Sequence, residues 1–186
     1  MQAEIVGREE WLKRRLELLA QEKEFTRQRD ALFRKRSQLP WVLLDKDYQF
    51  QSTQGPLTLG QLFQGQPQLI VYHFMYGPDM GEACPSCTLI GDHFVGLSEH
   101  LRARNVQLAM VSRGPLDRLM QWKARFGWDV LWVSSADCDF NRDFQVTFAA
   151  DDPSPTQYNY QICEGLDGEM PGLSVFAKDE QGRVYH

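Results

Sequence analysis

Nothing in this sequence approaches the roughly 20 consecutive apolar residues that span a bilayer. The N-terminus, MQAEIVGREEWLKRR, has no apolar core behind its charges, so it does not read as a secretory signal. The expectation is a cytoplasmic protein that neither enters nor crosses a membrane. There is also no internal repeat and no low-complexity tract. Positive charge is scarce outside one segment: ten Lys/Arg against seven Asp/Glu leave residues 1–40 at +3, so with −5 overall the remainder carries −8. An acidic body of that kind argues against nucleic acid as a partner. The Arg34-Lys35-Arg36 run, interleaved with acids further back, reads as the solvated end of a helix. Cysteine is rare as well, with four in 186 residues.

What is present suits a globular chain. Hydrophobic residues make up 42% and aromatics 12% of the sequence, enough for a sizeable core in one domain plus an appendage. The appendage is legible first. From Arg8 to about Gln38 there is no Pro and no Gly, and Glu, Lys, Arg, Gln and Leu dominate, which predicts a long helix. Trp11, Leu18, Phe25 and Leu32 recur every seven residues, but Arg14, Gln21, Gln28 and Lys35 occupy the places a dimeric coiled coil would fill with a second apolar row. A helix with so narrow a stripe needs a surface to dock on, its own domain or a second subunit. A homodimer through this helix is therefore an expectation, and the division expected is 1–39 for the helix and 40–186 for the domain.

Past Leu39-Pro40, WVLLDKDYQF predicts a strand and a turn, and GPLTLGQLF a turn, a short strand and a helical turn. PQLIVYHFMY is a continuous apolar run rich in β-branched and aromatic residues, the pattern of a central strand covered on both faces. CTLIGDHFVGLSEHLRARN predicts one helix with Leu89, Ile90, Phe94, Leu97 and Leu101 facing the core. VQLAMVS and DVLWVSS predict further strands, separated by PLDRLMQWKARFG, a helix opened by Pro and closed by Gly. DFNRDFQV reads as a short helical turn, residues 151–169 as a surface excursion without periodicity, and PGLSVFAKDEQGRVYH as a strand, turn and returning strand. Strands alternating with helices imply βαβ units and a mostly parallel sheet with an antiparallel closing hairpin. This α/β plan, with CxxC at the start of the first core helix, is that of the thioredoxin-like fold.

The pair in ACPSCTL carries the chemistry. Pro85 fits the first turn of a helix, where a missing N–H does no harm. Cys84 then lies at the positive end of the helix dipole, which favours its thiolate, and helix N-termini bring a thiol down from its ordinary pKa of about 8.5. Cys84 is the expected nucleophile. Cys87, one turn later, is the expected resolving thiol, attacking the mixed disulfide to release the partner. A structural zinc site would need four ligands. Cys138 and Cys163 are single and far apart, and no second CxxC or HxxxH is present; His73, His93 or His100 could still complete a set, which leaves a metal-holding binding module as the alternative reading. No bound organic cofactor is implied. His73, in the central strand, has two readings: a proton-transfer partner for Cys87, since imidazole titrates near neutral pH, or a hydrogen-bonded core histidine. Asp79 and Glu82 precede Cys84, and Arg113 follows the VQLAMVS strand toward the same edge of the sheet. Trp122, Trp128 and Trp132 read as packing.

LPWVLLDKDYQF, QLIVYHFMYGPDMGEACPSC, VSRGPLDRL, WVSSADCDFNRDFQV and PGLSVF together resemble a family of mainly bacterial thioredoxin-like proteins known chiefly as a domain of unknown function. The resemblance runs over nearly the whole chain and implies a thioredoxin-like fold and a redox role with a protein or small-molecule thiol or disulfide as substrate. Members usually continue past the closing hairpin into an aromatic-rich segment that this sequence does not show. In thioredoxin-like folds a cis-proline precedes the strand facing the cysteine loop; the resemblance puts Pro171, after Met170, in that place, shaping the partner groove. VSRGPLDRLMQWKARFGWDVLWVSS also resembles the matching part of peroxiredoxins, which makes thiol peroxidase chemistry a further alternative. Those enzymes carry Thr or Ser three residues before the peroxidatic cysteine and Pro seven before, where this sequence has Gly81 and Gly77.

Overall fold

The computed structural model describes residues 3–149 and 156–186 and divides into two compact units, Met1–Trp41 and Val42–His186. The first is a helix, α1 (Arg8–Arg36), with Glu9 and Glu10 in its first turn and Arg34, Lys35 and Arg36 in its last, the distribution that the helix dipole favours. It buries no residue, and Trp11, Leu18, Phe25 and Leu32 of the sevenfold stripe are all exposed. Its surface is laced with Arg14–Glu10, Arg15–Glu22 and Arg27–Glu24 ion pairs.

The second unit begins with β1 (Leu43–Leu44), β2 (Gln49–Phe50), β3 (Leu57–Thr58) and α2 (Leu59–Leu62). The turn into α2 is a complete capping box: Thr58 accepts from the Gln61 N–H while the Gln61 side chain accepts from the Thr58 N–H. Then come β4 (Gln68–His73), α3 (Pro85–Asp92), α4 (Leu97–Arg102), β5 (Val106–Ser112), α5 (Leu116–Phe126), β6 (Leu131–Ser134) and α6 (Phe140–Asp143). The chain closes with β7 (Thr147–Phe148), β8 (Thr156–Tyr158), β9 (Gln161–Cys163), β10 (Gly168–Glu169), β11 (Gly172–Lys178) and β12 (Val184–Tyr185).

Six strands form the main sheet in the order β1-β12-β11-β4-β5-β6. β4, β5 and β6 are parallel, and β11 runs antiparallel to β4 with Gly172 opposite His73. The continuous apolar run thus becomes a central strand, buried on both faces. Strand alternation splits its side chains between two cores. Leu69, Val71 and His73 face a layer containing Leu62, Phe63, Phe140 and Phe176, while Tyr72 and Phe74 face Cys87, Leu119, Trp128 and Trp132.

Three expectations change here. The segment after the cysteines is two helices rather than one: α3 ends at Asp92, and Gly96, the N-cap of α4, takes a left-handed φ of 73° that turns the chain into the second. Its buried face is Cys87, Thr88 and Gly91; Leu89 and Ile90 are exposed. The described part of the presumed irregular excursion contains the β8–β9 hairpin, turned through Asn159 and Tyr160 at φ 48° and 62°, the both-positive geometry of a type I′ turn. The rest of that excursion, 151–155, lies outside the described residues.

Gly91 on α3 packs directly against Trp128. A Cβ there would lie 2.7 Å from the Trp128 ring. Alanine gains about 1 kcal/mol of helix propensity over glycine, but forced overpacking costs about 1–3 kcal/mol. Trp128 is itself wedged against Phe126 and Trp132 and hydrogen-bonded to Asp92. Gly91→Ala is therefore expected to destabilise, by about 1–2 kcal/mol in urea unfolding.

Candidate active site

The cysteine loop leaves the end of β4 and is tied down before it reaches α3. Phe74 N–H donates to the Val111 carbonyl at 2.9 Å, Cys84 N–H to the Met75 carbonyl at 3.1 Å, and Gly114 N–H to the Tyr76 carbonyl at 2.6 Å. Arg118 on α5 donates to the carbonyls of Pro78 and Met80. The loop between is therefore anchored at both ends, and Asp79 and Glu82 point to solvent.

Cys84 is the N-cap of α3, with φ −58° and ψ 126°, and Pro85 opens the first turn. It is partly exposed, and its thiol is free, as is that of Cys87. Its carbonyl accepts from both the N–H and the hydroxyl of Thr88, at 2.9 and 3.0 Å, and the Trp122 indole N–H reaches the Thr88 hydroxyl at 3.4 Å. Cys87, one turn on, is only 1% exposed. Burial pushes its thiol above the ordinary range, and the Cys84 sulfur beside it acts in the same direction. One thiol can meet a partner and the other waits behind it.

Pro171 directly precedes β11, at the end of the sheet where β4 finishes and the cysteine loop begins. The Met170–Pro171 bond is trans, and no cis peptide occurs among the described residues, which corrects the expectation of a cis-proline. The Met170 N–H is fixed by the Val146 carbonyl at 2.9 Å, and trans is the intrinsically favoured isomer of an X–Pro bond. The Pro171 carbonyl accepts from the Tyr158 hydroxyl at 2.7 Å, and Tyr158 lies within electrostatic range of Cys87. Arg113 does not turn to the cysteines. It pairs with Glu169 at 3.1 Å, and Glu169, 9% exposed, also accepts from Thr147 at 2.6 Å.

His73 is not beside Cys87. Strand alternation sends its ring to the opposite face of β4, stacked on Phe140 and Phe144, with Nε2 at 2.9 Å from the Ser174 hydroxyl. It borders a cavity of about 400 Å3 that Tyr48, Tyr158, Pro171 and Ser174 also line. The bland reading, a core histidine, describes its surroundings; nothing there supports proton transfer to Cys87. The residue that does face Cys87 is its neighbour, Tyr72. The signal was in the sequence: once Leu69, Val71 and His73 share a face, Tyr72 belongs to the other. His93 and His100 are exposed, and among the described residues no group of three or more His, Cys, Asp or Glu converges as a metal site.

A family model described as a bacterial protein of unknown function, DUF899, matches residues 1–186. The chain belongs to the DUF899 family. Among solved structures, this DUF899 chain is similar to the peroxidoxin BcpB from Mycobacterium tuberculosis, with a TM-score of 0.52, 16% identity, and coverage of 75% of this chain and 78% of that one. It is similar also to the bacterioferritin comigratory protein of Xanthomonas campestris, with a TM-score of 0.52, 17% identity, and coverage of 73% and 76%. At those identities the likeness establishes the thioredoxin/peroxiredoxin-like fold. No curated protein matches significantly. No helix among the described residues is long and apolar enough to cross a membrane.

Proposed function

We propose that this DUF899 protein is a thiol–disulfide oxidoreductase in which Cys84 attacks and Cys87 resolves. The observation that carries the reading is the asymmetry of the pair: a partly exposed sulfur at the N-cap of α3 and a buried one a single turn behind it. The N-cap position sets the Cys84 sulfur at the start of α3, where a partner can reach it. In the forward direction the Cys84 thiolate attacks a disulfide R–S–S–R′, forming Cys84–S–S–R and releasing R′S−, which takes a proton from solvent. Cys87, deprotonated, attacks the Cys84 sulfur; the intramolecular disulfide forms and RS− leaves. An external dithiol resets the pair. The substrate is a protein or small-molecule disulfide, and the setting a cytoplasm in which the thiols are kept reduced.

The test is equilibration in defined thiol buffers with trapping of free thiols for mass spectrometry. A reversible two-electron transition is expected, abolished by Cys84→Ser, while Cys87→Ser should accumulate a mixed disulfide on Cys84. Two thiols that stay reduced at every poise would overturn the reading. Peroxide is the rival oxidant. Gly77 and Gly81 supply no side-chain donor to a bound peroxide, so consumption of hydrogen peroxide is expected to be no faster than that of an unactivated thiol.

A further inference from the structure

Resolution requires Cys87 as a thiolate, and burial works against it. A neighbour must offset that cost. Surrounding Cys87 are Tyr72 from β4, the backbone of Met75 from the cysteine loop, Cys84 from α3 and, at longer range, Tyr158 from β8. None of these groups is a cation. From α5, the Trp122 indole N–H is directed to the Thr88 hydroxyl. Of the two tyrosines, Tyr158 has its hydroxyl hydrogen committed to the Pro171 carbonyl at 2.7 Å.

The Tyr72 hydroxyl is different. It is buried, no acceptor among the described residues meets hydrogen-bond geometry with it, and the Cys87 thiol is the group within its reach. Its ring packs edge-on against Phe74 at 6.1 Å and Phe94 at 5.5 Å. A buried, unsatisfied hydroxyl is an exception that calls for an explanation. Here the resting partner is a neutral thiol, a weak acceptor, whereas the thiolate formed during turnover is a strong one.

We propose that the Tyr72 hydroxyl donates a hydrogen bond to the Cys87 sulfur as it becomes anionic, making Tyr72 a catalytic residue of the resolving step. The inference rests on the oxidoreductase reading above. Tyr72 neither accepts nor gives up a proton. The Cys87 proton passes to solvent, the Cys87 electron pair attacks the Cys84 sulfur, the Cys84–S–R bond breaks, and RS− is protonated as it departs. Tyr72 stabilises the anion before the bond forms. A donor is used in this position rather than a base, because burial pushes the Tyr72 phenol up and keeps its proton on oxygen.

The experiment loads Cys84 with thionitrobenzoate as a mixed disulfide and follows release of the coloured thiol in a single turnover between about pH 6 and 10, in wild type and in Tyr72→Phe. The phenylalanine keeps the ring and its packing and removes only the donor. Release in Tyr72→Phe is expected to be about tenfold to a hundredfold slower near neutrality, the factor that a hydrogen bond to a charged group supplies. The gap should narrow as pH rises and Cys87 ionises unaided, while the loading step at Cys84 stays within about twofold of wild type. Identical pH profiles would overturn the assignment of Tyr72. No release from wild type would instead overturn the oxidoreductase reading itself. A second measurement leaves position 72 a tyrosine: in fluorotyrosine-labelled protein, with resonances assigned by replacing the other tyrosines one at a time, the Tyr72 signal should shift as Cys87 ionises in a Cys84→Ser background. A signal that does not move would also overturn the proposal.

Discussion

Replacing Arg113 with alanine should destabilise the Val42–His186 unit by about 3 kcal/mol, a larger effect than expected of any surface change. Arg113 and Glu169 form an ion pair at 3.1 Å in which the carboxylate side chain is 6% exposed and the guanidinium 25%. The carboxylate sits in a polar chain: Ser135 donates to Asn141, Asn141 to Glu169 at 3.4 Å, and Thr147 to Glu169 at 2.6 Å. Removing the arginine leaves that charge buried with two neutral donors. Breaking one side of a buried pair costs about 3–5 kcal/mol, and the quarter exposure of Arg113 argues for the lower end. Glu169→Gln should cost less, about 1–2 kcal/mol, because the amide oxygen still accepts from Thr147 and the freed guanidinium can reach water. Denaturant unfolding of the two variants checks both size and order. Arg113→Ala within about 0.5 kcal/mol of wild type would remove the pair from the account of stability. Glu169 stands two residues before Pro171 and packs on Gly77, where a Cβ would meet its Cγ at 3.0 Å. The network therefore joins the strap leading into β11 to the loop that carries the cysteines.

Much of this was legible in the sequence, and the reasons for the remainder are local. The apolar run at residues 68–73 announced a strand covered on both faces, and β4 lies between β11 and β5. Pro85 and Gly127 marked the start of α3 and the end of α5, one by a fixed φ and a missing donor, the other by a left-handed φ of 66°. The phase of α3 was misread because a glycine carries no weight in a hydrophobic pattern. Gly91 faces the core so that Trp128 can pack against bare backbone, which turns Leu89 and Ile90 outward. The β8–β9 hairpin escaped notice because only one of its two turn residues, Asn159, signals a positive φ; Tyr160 does not. At the site, both cysteines and the helix start were evident. What failed was parity: a polar residue in an apolar strand drew attention to His73, but a shift of one residue along a strand changes the face. Tyr72, ordinary in composition, faces the thiol instead. The Arg113–Glu169 pair, 56 residues apart in sequence, had no local signature at all.

His73 gives the second large effect, and it appears on acidification. Burial pushes its imidazole down from the usual 6.5 to about 4, with repulsion from His186 adding to the shift. Among the described residues only Ser174 hydrogen-bonds the ring, through Nε2, and Nδ1 is buried without a partner. Folded protein therefore holds His73 neutral over a range where the unfolded chain protonates it. Below about pH 6.5 the unfolded state binds more protons than the folded one, so stability falls with falling pH, and the loss is complete once the pH passes the folded value near 4. A depression of that size corresponds to about 3 kcal/mol over the window. His186, also shifted down by desolvation, acts in the same sense. Carboxylates begin to titrate at the lower end of the window too, which is why the informative quantity is a difference. His73→Gln keeps a neutral polar side chain at the position and removes only its titration. Urea unfolding of wild type and His73→Gln at intervals between pH 8 and 4 should show the wild type losing about 3 kcal/mol more than the variant, with the curves parallel above pH 7. Parallel curves throughout would mean that the ring finds a partner for its charge, and that burial on the far face of β4 does not hold it neutral.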